Sequence, residues 1–239
     1  MKESYITKNF KKTAAARFPV QAEQLNAAFY ARLQALRQDN AGATKEKQLH
    51  LENQILPGIA AYETLQTVMP KDEALETIHS YVEQKARRQK KLFLRLMRIP
   101  GLYKKVPGIF SEQTPKLFGV TAGFASRDIQ TTGGVWRIDM TKCPYHDASV
   151  HYGCPELCHC FCDSDDITYD GLHPKLYWHR TKTLGRGGDC CDFCLKLRDK
   201  QDGRRKPSCS GTTLRGSTTF LPTASTEKRT GRCAPRSGS

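Results

Sequence analysis

Val135–Leu197 reads VWRIDMTKCPYHDASVHYGCPELCHCFCDSDDITYDGLHPKLYWHRTKTLGRGGDCCDFCLKL, and its changes of period decide the fold. Val135 to Thr141 alternates, with Val135, Arg137 and Asp139 set against Trp136, Ile138 and Met140, which predicts a strand. Pro155 suits the first position of a helix that runs to about Tyr169 and stops at Gly171. Leu176 to Leu184 alternates again, as does Cys191 to Leu197, with Gly185, Gly187 and Gly188 turning between them. Strand, helix and hairpin in that order imply a small, mainly antiparallel sheet.

Upstream the period is helical. Val20, Leu25, Ala28, Phe29, Leu33 and Leu36 recur at helical spacing from Pro19 to about Gln38. Thr44 caps a second helix, whose apolar positions run through Pro57, where a kink or break is expected. A third begins near Asp72 and is stopped by Pro100-Gly101. Residues 101–133 are expected to be irregular or short helices. The sum is an α+β fold, with a helical segment packed on or beside the sheet. Its expected divisions are a basic arm over 1–17 and an α+β domain over 18–198, helical over 18–112 and Cys/Asp-rich over 133–198. A disordered basic tail is expected over 199–239, where Ser, Thr, Gly, Arg and Pro dominate without periodicity.

Composition narrows the function. The start of the chain lacks the apolar run of a secretory leader, and no stretch approaches the roughly 20 apolar residues of a membrane span. A cytoplasmic protein without a membrane partner is expected, with cysteines as thiols or metal ligands rather than a disulfide framework. The net charge of +14 is concentrated in residues 201–239, which carry +6, and in Lys85–Arg98, which carries +7. Neither segment interleaves aromatics with a nucleic-acid motif, so a solvated helix face and a tail account for the charge.

Cys143–Leu197 holds eight of the ten cysteines and five of the seven histidines. Thiols, imidazoles and carboxylates do nucleophilic, acid–base and metal chemistry near neutral pH. On a helix from Pro155 to Tyr169, Cys158 and Cys162 share a face, and Asp165 and Asp166 continue the stripe. A thiol beside two carboxylates has its pKa raised, so a reactive Cys162 needs a cation such as His146, His179 or Arg180. The remaining cysteines, Cys154, Cys158, Cys160 and Cys194, read as small buried hydrophobes. Cys191 and Cys194 form a C-x-x-C, but alternation on a strand sends them to opposite faces, which opposes local chelation. His50 and His79 each stand alone on a helix and read as structural.

The blocks ILPGIAAYETL (Ile55–Leu65), CPY (Cys143–Tyr145), FCDSDD (Phe161–Asp166), RTKTL (Arg180–Leu184) and GGDCCDF (Gly187–Phe193) resemble the L-2-amino-thiazoline-4-carboxylic acid hydrolase family over roughly residues 20–197. The resemblance implies an enzyme that opens the ring of L-2-amino-Δ2-thiazoline-4-carboxylate to N-carbamoyl-L-cysteine, within bacterial cysteine formation. It needs a nucleophile at C2, an acid on nitrogen and a leaving thiolate. Cys162, or secondly Cys143, is then the nucleophile, with Asp165 and Asp192 pairing with the amidinium and moving protons. Tyr145 protonates the leaving sulfur and Arg180 clamps the substrate carboxylate, with Asp166, His146 and Cys191 around the substrate. Direct attack by water activated by Asp165 fits equally. No cofactor is expected, zinc or another divalent metal being the alternative. The competing function is a non-catalytic thiol- or metal-centred sensor, and a nucleic-acid role ranks last.

Overall fold

The computed structural model describes residues 3–130 and 134–198, all within the unit Met1–Cys209. The expected basic arm is a helix, α1 (Tyr5–Arg17), capped by Ser4 Oγ, which accepts from Thr7 N at 3.0 Å. Lys8, Lys11 and Lys12 dominate the sequence there. Ile6, Phe10 and Ala14 nevertheless stand four residues apart on one face and are wholly buried. Phe10 stacks on Phe29 at 4.5 Å between ring centroids.

The partner helix α2 (Ala22–Asp39) buries Leu25, Phe29, Leu33 and Leu36, as its spacing predicts, but starts after Pro19 and leaves Val20 exposed. Then α3 (Lys45–His50), a π-helical turn (Leu51–Ile55) and α4 (Leu56–Leu65) run end to end. The kink expected at Pro57 takes the form of that wide turn, in which Leu56 N bonds to Leu51 O. Proline crowds the carbonyl four residues back, and a π turn opens the ladder where that clash would fall. Nine of the ten α4 residues are buried, so this helix is the axis of the helical layer. At Gly58 an added Cβ would stand 2.7 Å from Phe161 Cζ, so glycine lets a later helix press against the axis.

After Pro70 come α5 (Lys71–Leu96) and, past Gly101 at φ 78°, α6 (Leu102–Leu117). The expectation of irregular structure or short helices over 101–133 falls short twice. α6 is a full helix despite Pro107 and Pro115, because Val106 and Phe110 pack into the core of the sheet and Pro107 is itself buried; tertiary packing outweighs the two missing backbone bonds. Ala125–Gln130 is also a strand, β1.

The sheet is antiparallel throughout, with β1, β2 (Val135–Lys142), β3 (Leu176–His179) and β4 (Cys191–Leu197) in the order β1-β2-β4-β3. Between β2 and β3 lie α7 (Pro144–His151) and α8 (Leu157–Tyr169). The strand expected to reach Leu184 ends at His179, since the Asp192 carboxylate takes the backbone N–H groups of Thr181 and Lys182 at 2.8 Å each. A 3-10 turn, Leu184–Arg186, follows. The protein is therefore a mixed α+β fold with two apolar cores, one among α1, α2, α4 and α5 and one between the sheet and α6. Tyr145 packs against both. Among the described residues no helix is long and apolar enough to cross a membrane. The tail expected over 199–239 lies outside the described residues.

Phe10→Ala is expected to destabilise the protein by about 3–5 kcal/mol, the usual cost of emptying an aromatic site in a core. Exposed Lys12→Ala should stay within about 0.5 kcal/mol. Urea unfolding of the two variants separates an integral helix from an appended arm.

Candidate active site

Helix geometry builds the site from α8. Cys158 and Cys162 sit one turn apart with their Sγ atoms 4.0 Å from each other. Asp165 and Asp166 follow a turn later on the same side. Arg180 enters from the end of β3 with only 3% of its side chain exposed. Its Nη2 donates to the Cys162 carbonyl at 3.0 Å and to Asp166 Oδ2 at 2.5 Å. Its Nη1 lies 3.5 Å from Asp165 Oδ2, buried and without a hydrogen-bond partner. Trp178 Nε1 donates to the second Asp166 oxygen at 2.8 Å, and the guanidinium carbon stands 5.3 Å from the Phe193 ring centroid.

The arrangement supplies the cation that a reactive Cys162 beside carboxylates was expected to need, Arg180, and the Cys162 pKa is lowered overall. Hydrogen bonding from Cys158 lowers it; burial opposes that, and the positive charge of Arg180 helps again. Cys158 is pushed the other way, by its bond to Cys162 first and burial second, so it keeps the shared proton. Cys158 is thus a partner of the reactive thiol rather than simple packing. Cys160 and Cys154 are buried thiols raised to about 12 by desolvation.

Asp165 keeps 38% of its side-chain surface accessible. Asp165 lines a cavity, and desolvation lifts its pKa to about 7, with Arg180 pulling it down and Asp166 pushing it up. A carboxyl poised there can both give and take a proton at neutral pH.

The cavity is about 660 Å³ and lies between α5, α6, α8 and the sheet. It receives Cys143, Tyr145, Cys162, Asp165, Arg180 and Cys191, six of the nine residues singled out in the sequence. Burial raises the pKa of Cys143 despite the backbone N–H groups of Tyr145 and His146 nearby, and lifts Cys191 to about 12. Neither matches Cys162 as a thiolate. Tyr145 is also raised by burial. His50 Nε2 must donate to the Leu117 carbonyl, at 2.7 Å, so its Nδ1 accepts the Tyr145 hydroxyl at 3.2 Å. That commits the Tyr145 proton, while Gln54 donates to the same oxygen at 3.1 Å.

Three expected residues stand apart from the cavity. Asp192 faces away from it because alternation along β4 sends Cys191 and Phe193 inward; its carboxylate holds the Thr181–Lys182 turn. The His146 ring turns to Asp147, 3.7 Å away. Asp166 sits behind Arg180 and fixes it. His50 and Lys85 are cavity residues that the sequence reading set aside or passed over. Spacing alone could have found Lys85, which falls on the buried α5 stripe of Ile78, Tyr81 and Val82. His79 pairs with Asp163 at 3.2 Å. Among the described residues no group of three or more His, Cys, Asp or Glu side chains is placed to hold a metal ion.

The model of one protein family, L-2-amino-thiazoline-4-carboxylic acid hydrolase, matches residues 48–195, and the chain belongs to that family. The matched span holds all the cavity-lining residues but Glu46, and begins after α1 and α2. Comparison with curated proteins and with solved structures gave no match.

Iodoacetamide labelling across pH, read by peptide mass spectrometry, tests the thiol pair. Cys162 is expected to label with an apparent pKa below the ordinary thiol range. Cys158→Ala should slow its labelling at pH 7 by roughly tenfold, the equivalent of one pKa unit. Equal labelling in both proteins would remove Cys158 from the account.

Proposed function

We propose that this chain is a hydrolase that opens a small cyclic amidine ring, with L-2-amino-thiazoline-4-carboxylate or a close relative as substrate. Membership of the family supports a hydrolase of this kind. The observation that carries the reading is the pairing, on one helix and in one cavity, of a thiol biased toward thiolate with a carboxyl that titrates near 7.

Once protonated, the substrate is a cyclic isothiouronium whose C2 is electrophilic. The Cys162 thiolate adds to C2, and the bond from C2 to the ring sulfur breaks. Asp165 protonates the departing sulfur and becomes a carboxylate, for which the unpartnered Nη1 of Arg180 is already in place. An isothiouronium attached to Cys162 remains. Asp165 then takes a proton from water as its oxygen adds to C2. Breaking the bond from C2 to Cys162 returns the thiolate and leaves a protonated urea, whose proton passes to solvent. The product is N-carbamoyl-cysteine, and Asp165 ends protonated as it began. Tyr145, its proton held by His50, orients the cavity wall in this scheme, and the leaving sulfur takes its proton from Asp165 instead.

A free-thiol assay of ring opening tests the assignment. Cys162→Ala should lose about 10³-fold or more in kcat/KM, and Asp165→Asn about 10²–10⁴-fold, the range for a general acid–base. His146→Ala is expected within a few fold of the parent, since its ring is outside the cavity. Asp192→Asn should act mainly through stability, by loosening the Thr181–Lys182 turn. Activity that survives Cys162→Ala but not Asp165→Asn would replace covalent catalysis by water attack. Parent protein that releases no thiol would reject the hydrolase reading.

A further inference from the structure

The hydrolase reading leaves the carboxylate of its substrate unplaced. Arg180, which the sequence offers for it, gives Nη2 to Asp166 and the Cys162 carbonyl, and its Nη1 faces Asp165 at 3.5 Å, where the mechanism uses it. A second cation reaches the same cavity from the opposite helix. On α5, Lys85 stands three residues after Val82, four after Tyr81 and seven after Ile78, all buried on the inward stripe. Ala86, the next residue, is also buried. Register therefore turns Lys85 inward, and its side chain lines the cavity with Cys162 and Asp165.

Lys85 has no counter-charge there. Among the described residues no carboxylate forms an ion pair with it, and no hydrogen bond to its ammonium is present. Asp165 is held at Arg180, and Glu46, also on the cavity wall, is exposed at its edge. Glu83, two residues before it on α5, pairs with Arg87 instead. Within one turn of Lys85 on α5 the wall is Val82, Ala86 and Gln89, and Ser164 and Thr168 of α8 line the same cavity. Desolvation there lowers the Lys85 pKa, so the site lacks the anion that would restore it. A solvated lysine on the outer face of α5 would need no such partner.

We propose that Lys85 is the anchor for an anionic group of the ligand, so that the cavity takes small carboxylates whose reactive carbon is presented to Cys162. This deepens the hydrolase reading and rests on it for the identity of the reacting carbon, whereas the anion site rests on the cavity alone. The division of labour is electrostatic. Arg180 serves the reacting groups of the protein, and Lys85 serves the charge of the substrate. Lys85 is thus a binding residue, separated from the chemistry.

The test compares two ligands, L-2-amino-thiazoline-4-carboxylate and the same ring without its carboxylate, 2-amino-2-thiazoline. Both are titrated calorimetrically and assayed for ring opening against full-length protein, Lys85→Met and Lys85→Arg. The expected result is that Lys85→Met weakens binding of the carboxylated ring by roughly 10- to 100-fold, the range for a charge-assisted hydrogen bond out of bulk water. The uncharged ring should bind both proteins alike, and Lys85→Arg should recover much of the loss. Where turnover is seen, the loss should fall on KM more than on kcat. Equal weakening of both rings, or none, overturns the anchor, as does a parent protein that binds neither ring or does not favour the carboxylated one. Differential binding without ring opening in the parent protein would keep the anchor and reject the hydrolase, so the two failures are distinguishable. Circular dichroism of Lys85→Met checks that it folds, and Lys85→Arg keeps the charge if the shorter change does not.

Discussion

A guanidinium buried at 3% exposure is the constraint on which the site depends. Taking an arginine out of water costs several kcal/mol unless its charge and donors are met. Asp166 meets one nitrogen, the Cys162 carbonyl shares it, and Asp165 stands by the other. The partners all come from one stretch of α8, while Arg180 comes from the end of β3. One buried charge thereby ties the sheet to the helix that carries both thiol and carboxyl. The same charge adds to the Cys158 hydrogen bond in lowering the Cys162 pKa, and limits how far burial can raise Asp165. Structure and reactivity share a cause here.

The fold supports that clamp from both sides. The axial helix α4 is buried almost all round, and Gly58 lets Phe161 of α8 press against it. On the other side the inward face of β2 and β4 contributes Trp136, Met140, Cys191 and Phe193 to the cavity wall. Neither core fills the space between them, and the result is a chamber of about 660 Å³ in which aromatic and aliphatic side chains alternate with polar ones such as His50, Gln54, Lys85, Asp165 and Arg180. Within it the titratable groups are sorted by environment: Cys162 is eased toward charge, Cys143 and Cys191 are held neutral, and Asp165 is poised between.

Local periodicity made part of this legible. The α2 stripe, the shared face of Cys158 and Cys162, the stop at Pro100-Gly101 and the strands β2 and β4 all follow from spacing that needs no partner. The errors came where a partner decides. Lysines hid the Ile6–Phe10–Ala14 stripe, since a helix pinned by its buried face can be strongly charged elsewhere. Prolines argued against α6, and packing on the sheet overrode them. Alternation correctly set Asp192 opposite Cys191, yet only the structure says which face meets the cavity, and Asp192 is on the other. For Cys162 the carboxylate neighbours and the need for a cation were legible, but neither the Cys158 proton nor the choice of Arg180 over His146 and His179 was. Lys85 was read as part of a basic run, although its register on α5 places it with the buried residues.

The central claim is that Cys162 carries the substrate carbon during turnover. Rapid acid quench of full-length protein with L-2-amino-thiazoline-4-carboxylate, followed by mass analysis of the peptide holding Cys162, addresses it directly. The account predicts a transient adduct on Cys162 with the mass of the ring-opened substrate before hydrolysis, absent from Cys143, Cys158 and Cys191. Turnover at full rate with unmodified Cys162 at every quench time, in oxygen-18 water that labels the product, would contradict it and leave Asp165 to activate water alone.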